Sequence, residues 1–156
     1  MALSREYVEA SVPTATDDDL ACAFSWLLFR SEQELHLAAP RVQQLDLALT
    51  GLKAKFASAP PIVAIIDGLK KTRSVTLADE RRLTAASLHP RCQARPNGAC
   101  LLVWGDSKQA NTVEQTLGPV GSICVLPWAN HDLVGWVTAN SVPKVNCDDP
   151  GSSALA

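Results

Sequence analysis

Two short stretches gather the side chains best suited to chemistry. They are Trp104-Gly105-Asp106-Ser107-Lys108 and Pro127-Trp128-Ala129-Asn130-His131-Asp132. Together they hold two carboxylates, an ammonium, a hydroxyl, an imidazole and two indoles. Each follows a continuous apolar run, residues 100–104 and 123–126, and each opens a segment of helical spacing. Parallel strands deliver their C-terminal ends to one edge of a sheet, where ligands bind, and a helix N-terminus there favours anions. If the two strands are neighbours, the loops converge. Trp104, Asp106, Ser107, Lys108, Trp128, Asn130, His131 and Asp132 then form a candidate ligand-binding set, with Asp106, Lys108 and His131 as its catalytic candidates. A purely structural reading competes. It makes Asp106 or Ser107 one N-cap and Asn130 or Asp132 the other, with the tryptophans covering the sheet edge. No phosphate loop is present: Gly105 stands alone, with neither GxGxxG nor GxxxxGK[ST] around it.

Asp106-Ser107-Lys108 after a strand and before a helix is similar to the D/E-x-K element of metal-dependent nucleases of the restriction-endonuclease-like type. The resemblance implies a Mg²⁺ held by a strand-borne carboxylate and a Lys steadying the attacking water or phosphate. That chemistry needs a second carboxylate on an earlier strand. Asp67 is the candidate, and only if residues 62–69 form a strand. The phosphate contacts would come from residues 70–95, where Lys70, Lys71, Arg73, Arg81, Arg82, Arg91 and Arg95 face only Asp79 and Glu80. The same basic stretch supports a nucleic-acid-binding regulator, with two helices meeting near residues 73–75. The competing reading is a solvated helix face plus loop. No aromatic residue interleaves the basic ones, so base stacking has no support.

No metal site is predicted. His89 and Cys92 have a liganding spacing, but a structural zinc site needs four ligands. Five cysteines (Cys22, Cys92, Cys100, Cys124 and Cys147) lie at irregular spacing without a CxxC, so no disulfide framework is expected. Cys22, Cys100 and Cys124 sit among apolar residues and read as small buried hydrophobes. No cofactor is implied.

The elements that would position these groups follow from patterning. Thr16 before Asp17-Asp18-Asp19 is a helix start, since Thr accepts backbone N–H groups and carboxylates suit the positive helix end. Residues 1–12 form a short helix or strand, broken at Val12-Pro13. A second helix is predicted from Ser31, interrupted at Pro40. Its apolar stripe of Leu35, Val42, Leu45, Leu49, Leu52 and Phe56 faces a core or, alternatively, a dimer seam. Residues 62–69 fit a helix opened by Pro60-Pro61, with a buried strand as the alternative. Thr76-Leu77-Ala78-Asp79 opens another helix, carrying Leu83 and Leu88 and ending at His89-Pro90. Residues 90–98 read as a loop. The two apolar runs joined by a helix form a parallel βαβ unit continuing into a further helix.

At 156 residues and 47% hydrophobic composition the chain is one domain that needs no cross-link for its core. The fold class is α/β or α+β: a helix-rich N-terminal part packed on a small sheet containing the C-terminal βαβα unit. A globular domain is expected over residues 1–143, with a flexible polar tail over 144–156. With no spanning segment and no signal sequence, the expectation is a soluble, cytoplasmic protein. The net charge of −2 gives no global basic field. No complete catalytic set is visible. The leading expectation is therefore a non-catalytic module binding a protein partner or a small anionic ligand, with self-association as one form of it.

Overall fold

The computed structural model describes residues 2–148. Its clearest elements are the two continuous apolar runs, which become β5 (Ala99–Val103) and β6 (Ser122–Leu126), every residue of both buried. Burial on both faces removes the need for polar alternation. They pair in parallel, joined by α4 (Ser107–Leu117). The fold is α/β, with four more strands: β1 (Ser4–Tyr7), β2 (Glu34–Ala39), β3 (Ser74–Thr76) and β4 (Arg82–Ser87). The strand order is β1-β6-β5-β2-β4-β3, all parallel except β3, which runs antiparallel to β4.

Right-handed crossovers account for the layers. The path β1 to β2 through α1 (Asp17–Leu28) crosses the sheet one way, and α2 (Val42–Lys55) and α3 (Pro60–Thr72) follow in the same sense. These three helices pack on one face with Leu35, Leu37, Leu101 and Val103. The path β5 to β6 runs the other way. Accordingly α4 and α5 (Val134–Asn140) cover the opposite face, with Cys100, Leu102, Ile123 and Val125 beneath them. The loop of residues 88–98 helps close that face through Ala94, Leu88 and Cys92.

Local signals act as expected in three places. The Thr16 hydroxyl accepts from Asp19 N, and the Asp19 carboxylate accepts from Thr16 N, a reciprocal cap for α1. Pro60 and Pro61 open α3, so residues 62–69 are helical and the strand alternative is excluded. The loop of residues 90–98 contains no helix or strand.

Four expectations are corrected. Residues 34–39 are not the start of a helix but β2, near the middle of the sheet between β4 and β5. Leu35 is in phase with Leu45, Leu49 and Leu52 by coincidence of spacing. Those three are buried, and Phe56 packs on Phe24 at 6.2 Å, so this part of the stripe serves the chain's own core, while Val42 at the start of α2 is exposed. Residues 76–88 are also not a helix. Leu77 N donates to Arg81 O, Glu80 adopts a left-handed φ of 72°, and the chain reverses from β3 into β4. No helix-turn-helix can therefore be built there.

The other two corrections concern cysteine and the tail. Cys22 and Cys147 form a disulfide across 125 residues, which irregular spacing could not announce. Cys100 and Cys124 are buried free thiols, and burial pushes both pKa values well up. The tail expected from Lys144 starts as ordered structure: Val145 is buried, its N–H donates to Tyr7 O, and Cys147 is tied to α1. Residues 149–156 of that expectation lie outside the described residues. Among the described residues no helix is long and apolar enough to cross a membrane.

Candidate ligand groove at the carboxyl edge

The strands β5 and β6 are neighbours, so their two loops do meet. They meet in two separate ways, on opposite faces of the sheet. Towards α4 and α5 the contacts are structural. The Asp106 carboxylate accepts from Gln109 N at 2.8 Å and caps α4. The Ser107 hydroxyl accepts from Trp136 N at 3.0 Å, at the start of α5, and donates to Asp132 O at 3.4 Å. Asn130 pairs with both main-chain groups of Ala10, at 2.8 Å each, pinning the linker after β1. His131 lies 83% exposed beside Asp132 at 3.1 Å, and Lys108 is exposed. These are the caps and ties of the structural reading.

Towards α1 and α2 the arrangement is different. The Trp104 and Trp128 rings meet edge to face, 5.5 Å between centroids and 86° between planes. Trp104 holds a left-handed φ of 59°, costing an L-residue about 1–2 kcal/mol. Its N–H donates to Leu126 O at 2.5 Å, which fixes the turn. Gly105 follows because a Cβ there would lie 2.4 Å from the Leu102 side chain. The Trp128 carbonyl accepts from Ala15 N at 2.7 Å, tying β6 to the start of α1.

The two rings floor a groove of about 800 Å³ between the start of α1 and the first half of α2. Thr16 and Asp17 line it from α1, and Gln44, Leu47, Thr50 and Gly51 from α2. Gly51 lets the helices close, since a Cβ there would stand 2.8 Å from the Asp17 carboxylate. Trp128 is 49% and Leu47 65% exposed, large apolar surfaces left without cover. Asp17 is the one charged side chain lining the groove. Asp18 pairs with Lys55 and Asp19 serves the cap.

Of the sequence-level ligand set, Trp104 and Trp128 thus share the groove, while Asp106, Ser107, Lys108, Asn130, His131 and Asp132 do not line it. Gln44, Leu47 and Thr50 carried no sequence signal for a site, and Asp17 reads with Asp18 and Asp19 as the acidic start of α1 in preference to a cation site. Only the packing of α1 beside α2 over β5 brings them there.

The nuclease-like arrangement lacks its second carboxylate. Asp67 is on α3, exposed and paired with Lys53 at 2.8 Å. The basic stretch is dispersed. Lys70 and Lys71 end α3, and Arg73 pairs with Asp46 at 2.7 Å. Arg81 donates to the Leu28 and Arg30 carbonyls and pairs with Asp79. Arg82 lies on β4, and Arg91 and Arg95 belong to the loop over the opposite face. Among the described residues no group of three or more His, Cys, Asp or Glu is arranged to hold a metal ion.

A second polar cluster lies at the amino edge. Arg30 Nη2 donates to Ser122 Oγ at 2.9 Å, its Nε pairs with Glu32 at 3.1 Å, and its Nη1 lies 3.9 Å from Glu6. The guanidinium sits 5.2 Å from the Trp26 ring centroid. Burial raises the Glu6 pKa against the pull of Trp26 and Arg30. At Glu32 burial pulls upward too, but the bonds from Arg30 and Ser122 win and the pKa falls. Most of the cluster's groups pair with one another, while Glu6 Oε2 and the Trp26 indole N–H are buried without a hydrogen-bond partner.

No family model, curated protein or solved structure matches this chain.

Proposed function

We propose that this protein is a non-catalytic binding module that takes a segment of a protein partner in the carboxyl-edge groove. The observation that carries the reading is the edge-to-face tryptophan pair, in which a half-buried Trp104 on a strained backbone backs the exposed Trp128 beside an uncovered Leu47. Apolar clefts with a few placed polar groups are the common form of ligand sites, and strain in the backbone gathers where function demands it. Of the two ligand types, the lining favours a partner chain over a small anion. The groove offers Asp17 and no cation, so an anion would meet repulsion there. A segment with an apolar side chain beside a positive one fits both Leu47 and Asp17.

The test is an array of immobilised peptides varying in charge and apolar content, probed with the full chain. Binding should concentrate on peptides that combine an apolar and a cationic residue and weaken with salt. It should be lost in Trp128→Ala while far-UV circular dichroism stays unchanged. Equal binding by Trp128→Ala removes the groove from the reading.

The Cys22–Cys147 disulfide supports an oxidising compartment as the working location, in place of the expected cytoplasm. Alkylation of the unfolded, unreduced protein followed by mass measurement should count three free thiols. Five would return the protein to a reducing compartment.

A further inference from the structure

We infer that the group recognised in the groove is a quaternary ammonium, carried as a trimethylated lysine side chain on the partner segment. This rests on the reading of the groove as the binding site and names what it selects. Two indole planes at 86° form a corner, and Trp128 is half in solvent, so ring surface is open to a ligand. An aromatic face carries negative quadrupole density and attracts cations, tryptophan most strongly. Asp17 adds a negative charge to the same groove, and no lining residue opposes it. The missing side chain of Gly51 lets the Asp17 carboxylate come close against α2 at the solvent-facing rim of the groove.

The choice between an ammonium and its methylated form follows from the lining. An unmodified lysine brings a compact, strongly hydrated charge with three N–H groups to satisfy. The corner offers mostly carbon: two indoles, Leu47, Ala15 and the Gly51 backbone. A trimethylated nitrogen has no N–H to leave unpaired, sheds water more readily, and packs its methyl groups as an apolar body. The choice of a protein-borne cation follows from size. A groove of about 800 Å³ is several times what a trimethylammonium group alone would fill. The remainder, along Gln44, Leu47 and Thr50, suits an aliphatic stem and backbone.

The experiment is calorimetric titration of the full, oxidised chain with four probes. They are an alanine-based peptide with a central trimethyllysine, the same peptide with the neutral tert-butyl carbon isostere, the unmodified lysine peptide, and free choline. The trimethyllysine peptide should bind about tenfold tighter than either peptide analogue, the order expected of one good cation–π contact. That margin should collapse in Trp128→Ala, persist largely in Trp128→Phe, and shrink in Asp17→Asn. The aromatic replacement guards against reading a folding defect as lost recognition. Equal binding of the neutral isostere overturns the cation while leaving the groove as an apolar site. Choline binding as tightly as the peptide overturns the protein-borne source. Absence of binding by every probe overturns the inference, and the peptide array then decides the groove by itself.

Discussion

At the amino edge of the sheet, Arg30, Glu6, Glu32 and Ser122 close on one another beneath Trp26. At the carboxyl edge, Trp104 and Trp128 meet ring to ring and leave a groove open beside them. Both places bring charge and indole together on the same face of the same sheet. They differ in what the packing leaves over. Arg30 is 11% exposed and its donors are taken up by neighbours. Trp128 and Leu47 have apolar surface with no neighbour to spend it on. The amino edge should therefore answer to tests of stability and the carboxyl edge to tests of binding.

The largest expected effect is at the closed edge. Arg30→Ala removes the partner of Glu32 and Ser122 and leaves Glu6 buried beside an apolar gap, at a cost of about 3–5 kcal/mol. Urea unfolding measures it, and a loss below about 1 kcal/mol would mean that water already satisfies this cluster.

Next comes His36 on β2, away from both edges. It is 4% exposed, and its Nδ1 meets Thr84 Oγ1 at 2.7 Å. Burial first, then the charge of Arg95, lower its pKa to about 4. The unfolded chain binds that proton near pH 6.5, so its neutral form in the fold favours stability above pH 6.5. That contribution is lost as pH falls towards 4, by roughly 3 kcal/mol. Glu6 has the opposite sign: its raised pKa favours the fold at acid pH and loses that contribution as pH rises above the ordinary carboxyl range. Comparing His36→Gln with the parent chain separates the two. The variant's urea midpoint should be flatter between pH 6.5 and 4, and an unchanged slope would remove His36 as the cause.

Cys147→Ser opens a loop of 125 residues in sequence separation. We expect a loss of roughly 2 kcal/mol, at the low end for native disulfides, because Val145 still bonds to Tyr7. Thermal unfolding of the variant, and of the parent chain with reductant, should agree. Agreement fails if the cross-link also orders the segment around Val145.

The smallest stability effect belongs to the open edge. Trp128→Ala should shift urea stability by less than about 1 kcal/mol while abolishing ligand capture. A loss as large as that of Arg30→Ala would erase the distinction between the edges.

Much of the C-terminal half was legible in the sequence. Residues 100–103 and 123–126 are unbroken apolar runs of strand length, and the residues between them have helical spacing with Gly118-Pro119 after Leu117. A βαβ unit follows; that its two strands are neighbours is what the structure adds. The first 90 residues misled for a physical reason. In Glu34–Ala39 both faces are buried, so the alternation that marks a strand is absent. Leu77, Leu83 and Leu88 imitate a helix stripe across a reversal that Asp79 and Glu80 make by turn geometry.

The sequence by itself determined the local choices: where α1 is capped, which runs are fully buried, and that Trp104 and Trp128 follow the two apolar strands. The tertiary structure alone decided which way those tryptophans face. Asp106 and Asn130 are consumed by caps and ties on one side, while α1 and α2, the helices before and after β2, wall a groove on the other. It also decided that Cys22 finds Cys147. Local propensity acts over a few residues, whereas these pairings depend on the order of strands in the sheet and on crossover handedness, which bring distant segments to one edge.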